Sequence, residues 1–237
     1  MIDFGTPHRH LAVCGSTNDA ARVWAMDGVD PAPSGALVTA EFQTQGRGQR
    51  GRDWQAGLGV SALMSFVYRP AAGLVISQLG LVTALAVAEA LEGGTSLSAR
   101  IKWPNDILLD EHKTAGILVE TSGRIAIIGI GINVNQERFE GAEAFRYPPT
   151  SLRLATGQPQ EITPVIEAVS AALGRWEARW EHEGFAPILV ACRRRLAVGA
   201  VVRRGDETAT LLDLSETGSA SVRLPDGTLA DWATVDS

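Results

Sequence analysis

From residue 77 to residue 91 the chain is apolar at helical spacing, with Leu81, Leu85, Ala88 and Leu91 in phase, and it then runs into Gly93-Gly94. That pattern predicts a helix with a glycine stop at its C-terminus. The longest apolar stretch, 79–91, is interrupted by Glu89 and is too short to cross a bilayer, so no membrane association is expected. Strands are expected around this helix at 36–42, 60–68, 98–102, 107–109, 116–121 and 124–132, with Asp110-Glu111-His112-Lys113 as a turn. Ser16-Thr17-Asn18-Asp19 places a carboxylate three residues after a hydroxyl, like a capping box, and predicts a helix over 17–27. Thr163-Pro164 opens a long helix with Val165, Val169, Leu173, Trp176 and Trp180 on one face, stopped by Gly184. A shorter helix follows over 187–196.

After Leu196 the pattern becomes short alternating strands up to Val235, with turns at Gly205, Gly218 and Gly227. This suggests a small β-barrel of about 40 residues, too small to stand without leaning on a larger domain. The patterning alone gives mixed α and β in two unequal domains, 1–190 and 191–237. With 45% apolar and 20% charged residues disorder is excluded, and a net charge of −6 gives no bulk attraction to nucleic acid. Cys14 and Cys192 lack CxxC spacing and read as two buried thiols rather than a metal site or disulfide. The N-terminus is no signal peptide, and a cytoplasmic location is expected.

Three segments carry chemistry. The first, 41–54, contains Gly46-Arg47-Gly48-Gln49-Arg50-Gly51-Arg52-Asp53-Trp54. Glycines let a backbone approach a ligand closely, and arginine forks suit phosphate and carboxylate oxygens. The loop reads as closing over a phosphate-bearing ligand, as a solvated surface loop, or as an RGG-like RNA contact; without Gly-Lys-Ser/Thr it is not a Walker A loop. The second, Lys102-Trp103-Pro104-Asn105-Asp106, places an ammonium at a strand end with polar groups beside it. Such a lysine can offset the repulsion between a carboxylate and an α-phosphate brought together, or the segment is a simple polar turn. The third, Gly129-Ile130-Gly131-Ile132-Asn133, breaks a β-branched strand with glycines, marking either a ligand's close approach or tight packing.

Together the segments resemble the signature of the biotin protein ligase family: its Gly-Arg-Gly loop, Lys-Trp-Pro-Asn-Asp turn and Gly-x-Gly-x-Asn strand, in order. The Ser-Thr-Asn helix start at 16–18 and the Lys-x-x-Gly-Ile-Leu-x-Glu strand at 113–120 belong to the same signature. The resemblance runs from about residue 8 to the C-terminus. It implies an α+β domain with a mixed, largely antiparallel sheet and helices, like that of class II aminoacyl-tRNA synthetases, followed by a small SH3-like β-barrel. It also implies activation of biotin with ATP to biotinyl-5′-AMP, with Mg²⁺ balancing phosphate charge, and transfer to a lysine of a biotin carboxyl carrier protein or domain.

By motif, the resemblance makes Lys102, Arg47 and Asp106 catalytic. Lys102 sits between biotin carboxylate and α-phosphate, and Asp106 orients or deprotonates the incoming lysine. Ser16, Thr17, Gln43, Gly46, Arg47, Lys102, Gly116, Gly129 and Gly131 surround biotin, Gly129 and Gly131 leaving room for the fused rings. Arg50, Arg52, Trp54, Asn105 and Asn133 serve the nucleotide, Trp54 and Asn133 near adenine. No metal ligands are assigned.

Where the family loop commonly reads Gly-Arg-Gly-Arg this chain has Gln49, which predicts weaker retention of the adenylate. Residues 46–57 are expected to order only with an anion bound. With the signature beginning at Ser16, no N-terminal DNA-binding domain is expected and the type is monofunctional, a monomer or homodimer. Arg193-Arg194-Arg195 then reads as a solvated helix end or carrier contact. The rivals are a lipoate-protein ligase, whose Arg-Arg-x-x-Gly-Gly-Gly loop is absent; a silent biotin sensor; and a nucleic-acid-binding protein.

Overall fold

A computed structural model describes residues 2–142 and 146–233, the side chain of Arg50 excepted. Among these residues, seven strands build the main sheet: β1 (His8–Cys14), β2 (Leu37–Gln43), β3 (Ser61–Tyr68), β4 (Ala99–Lys102), β5 (Asp106–Leu109), β6 (His112–Ser122) and β7 (Ile125–Asn133). Their order is β1-β2-β3-β7-β6-β5-β4, parallel between β1 and β2 and antiparallel across the other pairs. This is the mixed, largely antiparallel sheet expected. Edge strand β1 was not anticipated, because its mostly exposed residues carry no apolar alternation.

Two layers of helix cover the sheet. α1 (Thr17–Ala25) packs over β2, β3 and β7, burying Ala21, Trp24 and Ala25 against Val38, Val67 and Ile127. α2 (Leu79–Thr95), α4 (Ile162–Glu183) and α5 (Ala186–Arg195) gather on the main core, while α3 (Leu152–Thr156) is a single turn missed in the sequence. β3 is buried along its whole length, as a strand covered on both faces must be. α2 is buried nearly all round because α4 and the sheet enclose it. With the preceding turn it spans Ile76–Thr95, 20 residues of mean hydropathy 1.2, long and apolar enough by composition to cross a membrane; here 61% of that window is buried inside the fold. It is longer than the 79–91 run suggested. Gly93 and Gly94 lie within its last turn, and the stop comes at Ser96, in the left-handed region at φ 60°.

The second sheet, in the order β11-β10-β9-β8, comprises β8 (Val201–Arg204), β9 (Glu207–Leu214), β10 (Ala220–Arg223) and β11 (Leu229–Trp232). Gly205, Gly218 and Gly227 turn the chain between them at φ 59°, 90° and 89°, where a side chain would be strained. Val235 and its neighbours 234–237 lie outside the described residues. Leu211, Leu214, Val222 and Trp232 join the same apolar cluster as α2, so the core is continuous between the two sheets. The basic run at the end of α5 is not simply solvated: Arg193 donates to Asp213 and to the Leu214 carbonyl, and Arg195 to Glu92. Cys192 is buried, its thiol pushed up to about 12 by burial, whereas Cys14 is only partly covered, against the expectation of two buried thiols.

Candidate functional site

Sheet register gathers residues that are far apart in sequence. Lys102 pairs with Asp106 across β4–β5, Asp106 with Gly116 across β5–β6, and Gly116 with Gly131 across β6–β7. In the parallel row, Leu118 pairs with Gly129 and Gly129 with Ser65. Directly paired residues share a face, and this face meets the start of α1, the loop 46–54 and β8. Together they enclose a cleft of about 820 Å³, a size suited to a small-molecule ligand.

At the α1 end, Ser16 is the N-cap residue but makes no side-chain cap bond, and its would-be capping partner Asp19 is taken by arginines. The Thr17 amide and hydroxyl both donate to Gln43 Oε1, at 2.7 and 2.9 Å. Ser65 Oγ lies 2.6 Å from Asn18 Oδ1 and 2.8 Å from Thr17 Oγ1. The glycines of β6 and β7 are required by what lies over them. A Cβ at Gly129 would sit 2.3 Å from Asn18 Oδ1, one at Gly131 2.4 Å from Trp54 Cε2, and one at Gly116 2.9 Å from Trp54 Cζ3. The space expected to be open for fused rings is thus filled by Asn18 and Trp54. Trp54 lies over the glycine row, with its Nε1 buried and without a partner among the described residues.

At the other end, Asp106 lies between two ammoniums: Lys102 Nζ at 2.9 Å and Lys113 Nζ at 2.6 Å. Burial pushes the Asp106 carboxyl up, but Lys113 and Lys102 together outweigh it and hold the group below the usual carboxylate range. Lys102 also faces the ring of Tyr147, 5.4 Å from its centroid. Trp103 is buried, and its indole donates to the Gly218 carbonyl at 3.2 Å, fixing the turn against the second sheet. Among the described residues the cleft is lined by six basic side chains (Arg47, Arg52, Lys102, Lys113, Arg146, Arg203) and two acidic ones (Asp53, Asp106). In a chain of net charge −6 this local excess favours an anionic ligand.

Twelve of the anticipated residues line the cleft: Ser16, Thr17, Gln43, Arg47, Arg52, Trp54, Lys102, Asn105, Asp106, Gly116, Gly129 and Gly131. Arg47, expected as a catalytic and biotin-binding residue, donates to Asp19 Oδ2 and Oδ1 at 2.6 and 2.7 Å, which pushes its pKa above the ordinary value. Asn105 donates to the Ile117 carbonyl and braces the turn. Gly46 and Asn133 do not line the cleft. Gly46 is packed under the loop, where a Cβ would meet the Trp54 carbonyl oxygen at 2.5 Å. Asn133 is buried and donates to the Thr150 carbonyl. The Arg50 side chain lies outside the described residues. Asn18 and Lys113 had no role assigned from sequence, although both sit inside quoted motifs, and no local signal brings Tyr147 or Arg203 to the cleft. No group of three or more His, Cys, Asp or Glu side chains able to hold a metal occurs among the described residues.

Residues 11–136 match the family model described as biotin/lipoate A/B protein ligase. A biotin–[acetyl-CoA-carboxylase] ligase of Paracoccus denitrificans is 36% identical over 232 residues, 92% of this chain and 94% of that protein. A bifunctional ligase/repressor of Bacillus spizizenii is 38% identical over 163 residues, 66% of this chain; the match spans 50% of that relative's length. The solved structure of a biotin protein ligase from Aquifex aeolicus in complex with biotin and ATP superposes with a TM-score of 0.83 at 28% identity, covering 97% of this chain and 96% of that one.

Proposed function

The chain belongs to the biotin/lipoate A/B protein ligase family, and from that premise we propose that it activates biotin with ATP and transfers the biotinyl group to a lysine of a biotin carboxyl carrier protein or domain. The observation that carries this reading is the pair of ammoniums, Lys102 and Lys113, held by one carboxylate beside a glycine-lined sheet face. Two anions about 4 Å apart repel by about 4 kcal/mol in a partly screened site. Fixed cations at that point remove the repulsion without reorganising.

In the first step the biotin carboxylate oxygen bonds to the α-phosphorus of ATP and the bond to pyrophosphate breaks. Lys102 contacts both reacting anions, and Lys113 adds a second charge. Ser16, Thr17 and Gln43, with the backbone of Arg47, surround the ureido ring, and Arg52 serves the phosphate. In the second step the carrier lysine's neutral amine attacks the carbonyl of the mixed anhydride, AMP leaves with the electron pair of the broken acyl–oxygen bond, and the surplus amine proton passes to solvent. A carboxylate already held low by two lysines is a weak base, so Asp106 orients the incoming amine rather than deprotonating it. Mg²⁺ enters with the nucleotide. It would balance the charge of the phosphates, with phosphate oxygens and water as its chief ligands.

We read 1–190 as the ligase domain and the four-stranded unit beyond it as an SH3-like barrel, supported by its short antiparallel strands and glycine turns. We further propose a cytoplasmic enzyme that acts away from membrane and nucleic acid, supported by the packing of α2 inside the core and the net charge of −6. The test is incubation with ATP, biotin and a purified carrier domain, read by intact mass. One biotinyl group is expected on the carrier and none on a carrier whose acceptor lysine is replaced by arginine; an unmodified carrier overturns the reading.

A further inference from the structure

Arg47, Asp19, Arg22 and Glu120 form a closed quartet under the mouth of the cleft. Arg47 grips Asp19 through both guanidinium nitrogens, at 2.6 and 2.7 Å, and reaches Glu120 Oε2 at 3.5 Å. Arg22 crosses the same two carboxylates, at 3.0 Å from Asp19 and 2.8 Å from Glu120. Asn18 Nδ2 donates to Glu120 at 2.7 Å. Two guanidiniums face two carboxylates, so the group is neutral as a unit and the charge of Arg47 is already spent.

The loop's backbone hydrogen bonds are internal, and besides Arg47 it meets the body of the protein through the Trp54 ring, which lies on Gly116 and Gly131 with Lys113 Nζ 5.6 Å from its centroid. The Gly48 amide donates to the Arg52 carbonyl, the Trp54 amide to the Gly46 carbonyl, and Arg47 bridges Asp53 through the backbone. These bonds hold the loop's shape but do not fix it over the cleft. Arg47 is its charged tie to the body of the protein, and the body's end of that tie is on α1, one residue from the Asn18 side chain that covers Gly129.

We propose that Asp19 is a positioning residue. Through its two-toothed grip on Arg47, braced by Glu120, it latches the loop 46–54 to α1, so that Trp54 lies over the glycine row and bound adenylate is retained. Arg47 is therefore an anchor, and the cleft's free positive charge comes from its other basic residues. The retention part of this inference rests on the ligase reading above; the latch itself does not.

The experiment is hydrogen exchange on the whole, unliganded chain, comparing wild type, Asp19→Asn, Arg47→Gln, their double variant and Arg22→Gln, together with release of biotinyl-5′-AMP from each. In Asp19→Asn the amides of 46–54 exchange about fivefold faster, the effect of losing a half-exposed but bidentate pair, while the amides of α1 are unchanged. Adenylate leaves faster by a similar factor, and Arg47→Gln adds nothing on top of Asp19→Asn. Arg22→Gln, which leaves the grip intact, moves the loop less than twofold by the same reckoning. Unchanged loop exchange in Asp19→Asn, additive single variants, or equal acceleration in loop and α1 overturns the latch. If wild type forms no adenylate the ligase reading fails, and the exchange data still decide the latch.

Discussion

Asp106→Asn should move stability and anion binding in opposite directions. The side chain lies between Lys102 and Lys113 with only 14% of it exposed, against 18% and 30% for the lysines. Removing one member of a buried ion pair costs about 3–5 kcal/mol. Here both ammoniums open onto the cleft and reach water, and the amide oxygen still accepts one bond, so about 2 kcal/mol is expected. For a chain of this size that is a fall in Tm of roughly 4–8 °C. The contribution has a definite pH window. Because the folded carboxyl is held low, its stabilisation is full above the unfolded value near 3.9 and is lost as pH falls through the folded one. The gap between wild type and variant therefore stays constant through the neutral range and narrows below about pH 4. The same change frees two cations from an internal competitor, so AMP and pyrophosphate bind the unliganded variant several-fold more tightly, while transfer to carrier falls. Urea melts from pH 3 to pH 8 with calorimetric titration of pyrophosphate read both effects, the range being set by roughly one unit below and four above that carboxyl value. Pyrophosphate binding that weakens together with stability would mean instead that Asp106 supports the anion site rather than occupying its cations.

Three further outcomes are expected. Gly131→Ala, whose Cβ would meet the Trp54 ring at 2.4 Å, costs about 1–3 kcal/mol by overpacking; Trp54→Ala in the same chain restores most of it, and failure to do so in urea melts would remove Trp54 from the glycine row. Gln49→Arg adds a cation to the cleft lining and should slow adenylate release several-fold, with equal off-rates rejecting the idea that Gln49 weakens retention. Glu177 is buried with Oε2 unpartnered among the described residues, and burial first, with Glu181 adding to it, raises its carboxyl above the usual range despite the bond from Tyr68. Its favourable contribution is present below the unfolded value of about 4.3 and is lost as pH rises through the folded one, so Glu177→Gln should flatten the decline in stability over that interval, seen in urea midpoints against pH.

The elements with strong period were legible in the sequence: β3, α2, α4 and the glycine-turned strands after Leu196 all lie within a few residues of their expected places. β1 was not, because an exposed edge strand needs no apolar alternation. The end of α2 was misjudged because Gly93 and Gly94 read as a stop, whereas the surrounding helix tolerates them and Ser96 supplies the left-handed turn. At the site, residues of all the quoted motifs reach one cleft, but register is a property of pairing rather than of sequence, so the row Lys102–Asp106–Gly116–Gly131 emerged only with the sheet. Asn133 illustrates a related point: it belongs to the Gly-x-Gly-x-Asn strand, yet it is buried outside the cleft lining and donates to the Thr150 carbonyl. Arg47 stood in a loop whose arginines read as partners for a ligand's anions, and its carboxylate partners come from α1 and β6.

The most direct test of the central claim is biotin-dependent exchange of pyrophosphate into ATP, with lipoate as the control acid. Exchange is expected with biotin and not with lipoate, and is abolished in Lys102→Met. Absence of exchange with biotin in a folded, nucleotide-binding preparation would contradict that claim and leave the cleft as a binding site without adenylation.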